Sequence, residues 1–453
     1  MRLAVVVQRY GADIAGGAEL HARYVAERLA THAQVEVLTT CARDYISWRN
    51  ELAAGEDEVH GVRVRRFPVA HERDVVDFGR RSTRVFDEPH SLADELKWLD
   101  SEGPTSPALV EYVAERRDDY DYFIIFSYRY YHAYQVARVA GHRSLLVPTA
   151  ERDPAIGLSL FGPVFRGVRA LMYNSPEERA MIQAVADNQD VPGAVVGVGS
   201  ELPDTTQPLR FRKTFGIPEQ FILYLGRIDE NKGCKELFDF TIRFNARHPG
   251  GLTLVLIGNA VMPVPRHPRI RHLGFLEDQD KFDALAAADL LVMPSYYESL
   301  SMVAIEAWGL GRPVLANAKC DVLHGQCLRS NAGLFYDTYE EFAGALRLML
   351  TDRNLREAMG RNGRSFYARH YAWPVIERAY LTMLERLDRD EAPAAIPLEL
   401  ATEPGWFERR RRRIRPSRER VEALPTGPVR PPASPAQRGP SSSRPARRSR
   451  RRR

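Results

Sequence analysis

Cysteine is scarce. Four residues in 453 (Cys41, Cys234, Cys320 and Cys327) are too few to staple a fold by disulfides, and they fit a reducing compartment. Long apolar runs are missing as well. A bilayer-spanning helix needs about 18 or more consecutive apolar residues, and the longest candidates here, such as Leu252 to Ile257, are only strand-sized. The opening stretch from Met1 to Arg9 has an apolar centre too short for a secretion signal. Secreted and integral membrane proteins are therefore set aside, and a cytoplasmic location is expected. What is present is ordinary for a globular chain: 44 % hydrophobic and 27 % charged residues. The length allows two or three domains at about 150 residues each.

Excess positive charge is also absent from most of the chain, although the formal net charge is +5. Residues 401–453 hold 17 Arg and 4 Glu, a balance of +13, while the first 400 residues carry 47 basic and 55 acidic side chains, a balance of −8. An acidic body does not suit a nucleic-acid binder, so nucleic acid is not the expected partner. The segment 391–453 is Arg-, Pro- and Ser-rich with no apolar period to bury, which predicts a disordered basic tail. Its Arg runs (Arg409 to Arg413, Arg450 to Arg453) suit an anionic membrane surface, so a peripheral position on the inner membrane face is the accompanying expectation.

The body alternates short apolar runs with longer helical patterns. Leu3 to Val7, Val35 to Thr40, Phe123 to Phe126, Leu145 to Val147 and Leu171 to Tyr173 read as strands, the near-continuous runs suiting parallel strands buried on both faces. The pattern restarts after the polar connector from Pro203 to Pro208, with strands at Phe221 to Leu225, Leu252 to Ile257, Leu290 to Met293 and Pro313 to Ala316. This predicts two doubly wound α/β domains, 1–205 and 206–370, then a helix over 371–390 and the tail. In such sheets ligands bind beyond the carboxyl ends of the strands, and two facing domains enclose a cleft. The polar stretch 71–108 is not placed in detail.

Two stretches carry the chemistry. Glu298-Ser299-Leu300-Ser301-Met302-Val303-Ala304-Ile305-Glu306 follows a strand and opens a helix. Free backbone N–H groups around Leu300 and Ser301 at the helix start suit an anion. A pyrophosphate there would be flanked by two carboxylates, one for a sugar and one for a ribose. The competing interpretation is a capped helix with two solvated glutamates. Gly226-Arg227-Ile228-Asp229-Glu230-Asn231-Lys232-Gly233 follows the first strand of the second half, and Arg227 and Lys232 suit a diphosphate. Gly258 ends the next strand in the same manner. On the first domain, Tyr128, Tyr131 and His132 follow a strand end, where aromatic faces and an imidazole suit a sugar or acid–base work; an aromatic cluster packing at the domain interface is the alternative. Cys320, His324 and Cys327 lack the spacing of a metal site, and a loop lining the ligand pocket is expected there.

Taken together, Gly-Arg…Lys-Gly after one strand and Glu-x7-Glu about 70 residues later resemble the retaining glycosyltransferases of family 4, which have the GT-B fold. Gly16-Gly17-Ala18-Glu19, Asn174-Ser175 and Tyr371-Ala372-Trp373 resemble that family's glycine loop, strand end and crossover segment. The resemblance spans about residues 1–388. It implies that Arg227 and Lys232 bind donor phosphates, Glu298 the donor sugar and Glu306 the ribose, with Gly16 and Gly17 letting backbone approach the phosphates or the acceptor. It also implies a nucleotide-diphosphate sugar as donor, a hydroxyl acceptor on a glycan, glycolipid or small molecule, and no cofactor or metal. One departure stands out: Glu151 occupies the place where members often have a histidine, and so joins Glu298, Arg227 and Lys232 as a candidate catalytic residue. A sugar-nucleotide epimerase of the same architecture is the nearest alternative, and an Arg-tailed nucleic-acid- or membrane-binding protein the alternative from another class.

Overall fold

The computed structural model describes residues 1–14, 16–217, 220–248, 250–391, 404–411 and 413–430. The first sheet comprises β1 (Arg2–Val6), β2 (Gln34–Thr40), β3 (Gly55–Val59), β4 (Val62–Phe67), β5 (Tyr122–Phe126), β6 (Ser144–Val147), β7 (Ala170–Tyr173) and β8 (Gly193–Val195). Their order is β3-β4-β2-β1-β5-β6-β7-β8. All neighbours are parallel except the β3–β4 hairpin. The second sheet holds β9 (Phe221–Leu225), β10 (Thr253–Ile257), β11 (Ile270–His272), β12 (Leu290–Met293), β13 (Val314–Asn317) and β14 (Gly333–Tyr336), in the order β11-β10-β9-β12-β13-β14. It is parallel throughout.

The central strands behave as their composition demands. Every residue of β5, β9, β10 and β12 is buried, because crossover helices cover both faces of a parallel sheet. In each sheet the chain reverses its direction of winding beside the first strand, between β1 and β5 and between β9 and β12. Such switch points open a crevice beyond the strand ends. The loops after β9 and β12 carry the two candidate motifs, so the fold itself brings them together.

Five strands escaped the sequence pattern: β3, β4, β8, β11 and β14. β3 reads Gly-Glu-Asp-Glu-Val and exposes four of its five residues, so an edge hairpin left no apolar run to detect. The unplaced stretch 71–108 contains the helices Val75–Asp87 and Leu92–Glu102. They start at Asp74 and Ser91, whose side chains accept backbone N–H bonds from the first turn.

The helix Trp373–Arg389 returns to the first domain. Trp373 meets Tyr24 edge-on at 5.5 Å, and the Tyr122 hydroxyl donates to Asp388 at 3.0 Å. The tail differs from expectation. Residues 392–403, 412 and 431–453 lie outside the described residues, but 413–430 packs on the body. Ile414 exchanges two backbone hydrogen bonds with His90, and Ser417 and Val421 are buried. Docking here rests on backbone hydrogen bonds and Arg–carbonyl contacts, which leave no apolar period in a sequence.

Candidate active site

The loop after β9 is built around Asp229. Its carboxylate accepts from Arg227 Nε at 2.5 Å and from the Lys232 backbone N–H at 2.8 Å. The backbone is held close to its neighbours: a Cβ on Gly258, where φ is +134°, would lie 2.1 Å from the Gly226 carbonyl oxygen. Gly258 therefore serves the close approach of two strand ends.

The loop after β12 presents Glu298. Leu300 is buried, and Ser301, at φ +72°, caps the helix Met302–Gly309 by accepting from the Ala304 N–H at 3.4 Å. Lys232 Nζ lies 2.7 Å from Glu298 Oε1, so the phosphate and sugar candidates are paired with each other. Glu151, on the loop after β6, faces this pair from the first domain. Burial pushes its carboxyl up to about 7; Lys232 pulls against that shift, while the Glu298 charge adds to it. The half-buried Lys232 ammonium loses some hydration, which works against its charge, yet Glu298 and Glu151 hold it above its ordinary value. Two carboxyls and one ammonium thus share a secluded centre in which Glu151 is the group poised to gain or lose a proton near neutrality.

Glu306 lies on the second turn of its helix and is buried. It accepts from the Ser200 hydroxyl at 2.9 Å, and Lys281 Nζ stands 3.4 Å away. Burial raises its pKa, with Lys281 and Ser200 opposing. Arg227 reaches across the cleft and donates to the Tyr45 hydroxyl at 2.7 Å. Asn174 Nδ2 donates to Ser299 Oγ at 3.4 Å, and Asn174 Oδ1 is buried without a hydrogen-bond partner. Gly16 and Gly17 begin the helix Gly17–Leu29 beside the buried Arg9–Glu19 pair. A Cβ on Gly16 would run into the Glu19 carboxylate, whereas one on Gly17 would meet nothing within 4 Å.

The acceptor-side aromatics need correction. Tyr128 is buried against Phe161 and Phe165, at ring distances of 4.8 and 5.4 Å. His132 is fully buried, its Nε2 is 3.1 Å from the Phe126 carbonyl, and burial pushes its pKa down to about 4. Both lie in the interior of the first domain, neither on the cleft nor at a domain interface, because the chain turns inward at Tyr130 to start the helix Tyr131–Ala140. Tyr131, half-buried, is the first residue of that helix. Cys320 and Cys327 are buried free thiols, and the His324 ring lies 4.0 Å from Phe335.

Several site residues left no signal. Glu178, in the helix Pro176–Ala186, accepts the backbone N–H groups of Ala150 and Asn174 and so pins both loops. Burial raises its pKa to about 8. Tyr45, Ser200 and Lys281 sit in stretches without a motif, and only the tertiary fold brings them to the cleft.

The fold and this cleft define the class first: two facing Rossmann-like domains with a crossover helix are the GT-B architecture. Sucrose-phosphate synthase from Thermosynechococcus elongatus shares it with a TM-score of 0.62 at 18 % identity, over 85 % of this chain and 99 % of that one. Anabaena HepE, solved in complex with UDP-glucose, gives 0.62 at 16 % identity, over 85 % of this chain and 100 % of that one. At the level of sequence, residues 207–366 match the family described as glycosyl transferases group 1. The D-inositol 3-phosphate glycosyltransferase of Corynebacterium aurimucosum is 30 % identical over 206 residues, covering 42 % of this chain and 48 % of that protein. The chain thus spans about half the length of the curated relatives it matches.

Proposed function

We propose that this protein is a retaining glycosyltransferase of family 4 that moves a sugar from a nucleotide diphosphate to a hydroxyl acceptor without a cofactor or a metal. The observation that carries this reading is the meeting of Lys232, Glu298 and Glu151 at the switch-point cleft, on loops of both domains. Arg227, Lys232 and the backbone at Leu300 and Ser301 would take the charge that builds on the leaving diphosphate, an electrostatic contribution that is largest where water is excluded. Entry of the donor requires the Lys232–Glu298 pair to open, Lys232 turning to phosphate and Glu298 to sugar hydroxyls. The leaving phosphate accepts the proton of the acceptor hydroxyl on the same face as the departing bond. Glu151, on the acceptor side, balances positive charge developing on the sugar. The chain works in the cytoplasm, and its basic tail meets an anionic membrane; Trp406 and Phe407, both exposed beside Arg409 and Arg410, support this contact.

Two glutamates test the reading. Charge-assisted hydrogen bonds are worth about 1.5–3 kcal/mol, or roughly 10- to 150-fold in affinity. Glu306→Ala should weaken both nucleotide sugar and bare nucleotide diphosphate by that factor, whereas Glu298→Ala should weaken only the nucleotide sugar. Calorimetric titration of both variants with both ligands reads the four affinities. Equal losses for Glu298→Ala on the two ligands refute its sugar role, and no loss in either variant removes the main support for transfer.

A further inference from the structure

Residues 413–430 cross the mouth of the cleft. Ile414 pairs with His90, Arg418 Nε lies 2.7 Å from Asp87, and Arg420 donates to the Gly157 carbonyl. The contact at Gly157 is close: a Cβ there would stand 2.4 Å from the Ser417 carbonyl oxygen. From this anchorage on the first domain the segment runs to the second. The Gly427 N–H donates to Asp321 Oδ1 at 2.9 Å, and Arg329 donates to the Val429 carbonyl at 2.9 Å. The Val429 N–H returns to Glu177 of the first domain at 3.0 Å, and Glu177 itself pairs with Arg329. Arg152 donates to the carbonyls of Val421, Leu424 and Pro425 while facing Asp321 at 3.4 Å.

The end of the crossing forms a wall. A cavity of about 250 Å³ lies between the domains, bounded by Arg152 and Glu178 on one side, Glu298 and Cys320 on the other, and Pro425 to Gly427 across it. Small-molecule sites commonly measure about 300–1,000 Å³, so the space left beside Glu298 is smaller than such a site. The same short segment ties both domains at this separation, and it does so through backbone groups and surface arginines rather than a large apolar interface. Contacts of that kind place a segment at the low-stability end of a fold, where local opening is easiest.

We propose that residues 413–430 are a strap that seals the interdomain cavity beside Glu298 and must lift for substrate to enter. The sealing role stands on the geometry; its consequence for turnover rests on the transferase reading above.

Cys320 reports the seal without any substrate. It is a buried free thiol on the cavity wall, while Cys234 and Cys327 are buried in the second domain's core. Two variants lift the strap: deletion of 413–453, and the double reversal Arg418→Glu with Arg420→Glu, which leaves the cavity walls unaltered. Alkylation is followed by mass spectrometry on each cysteine, and hydrolysis of a panel of UDP-, GDP- and ADP-sugars on the same samples. Cys320 should react roughly tenfold faster or more in both variants, as expected when a protecting segment opens, with Cys234 and Cys327 unchanged and hydrolysis raised severalfold. An unchanged Cys320 rate in the charge-reversed chain overturns the strap. So does faster Cys320 labelling with slower hydrolysis, because the segment would then be part of the substrate site. A rise at all three thiols reports unfolding of that variant, and the other variant decides. Faster labelling of Cys320 alone, with no nucleotide sugar either bound in calorimetric titration or cleaved by any form, upholds the seal and refutes the transferase reading.

Discussion

Glu151 combines burial, a charged neighbourhood and a position on the acceptor side of the cleft. Its pKa of about 7 lies above the ordinary 4.5, so between those values the native state keeps a proton that the unfolded chain has released. The stability contributed by this group is fully present below about pH 4.5 and is lost as pH rises through about 7. In Glu151→Gln that decline disappears. Relative to wild type, the variant should gain roughly 3 kcal/mol between pH 4.5 and 8, read from urea midpoints across pH. Turnover should fall in the same variant while nucleotide affinity stays near wild type. A loss of nucleotide affinity as large as that of Arg227→Ala would show that Glu151 faces the donor instead. The resemblance implied only that Glu151 stands on the acceptor side of the cleft; its approach to Lys232, which sits on the other domain, came from the fold. That Glu178 clamps the loop carrying Glu151 could not be read, since a glutamate in a helix's first turn is ordinary in any sequence.

Among elements, two glycines of the site separate packing from access. Gly258 ends β10 at φ +134° with the Gly226 carbonyl where a Cβ would be. Gly258→Ala should therefore cost roughly 2–4 kcal/mol of stability, through strain and displacement of the loop that carries Arg227. Gly17 begins a helix with open space around it. Gly17→Ala should be neutral or gain up to about 1 kcal/mol, and any loss of ligand affinity then reports close approach of the ligand itself. Thermal unfolding with and without nucleotide distinguishes the two. A destabilised Gly17→Ala would contradict the geometry. The central strands were legible because burial on both faces forces continuous apolar runs. The β3–β4 hairpin was not, because an edge needs charge more than apolarity.

Across the whole molecule, charge and fold are divided: an acidic body of two sheets precedes an arginine-rich end. Deletion of 405–453 should leave both domains folded, at a loss of about 1–3 kcal/mol from the burial of Val421 and the contacts around it. Calorimetry should still show cooperative unfolding; a molten chain would mean that the strap is integral to the core. Binding of the full chain to vesicles of anionic lipid should fall as salt shortens the Debye length from about 10 Å towards 3 Å, and should vanish in the deleted form. Persistence after deletion would place the membrane contact elsewhere.

From the sequence alone, periodicity determined two parallel α/β domains, and the spacing of Arg227, Lys232, Glu298 and Glu306 marked two loops that the fold brings together at the cleft. These are local signals, carried by neighbours in the chain. Only the tertiary structure decided which charged groups meet. The Lys232–Glu298 pair, the approach of Glu151 from the other domain, the clamp at Glu178 and the crossing by 413–430 all join residues far apart in the chain. The same reason explains the tyrosine and histidine placed on the cleft that lie in the core. A strand end locates a loop, but the direction in which the next turn folds is set by the packing around it.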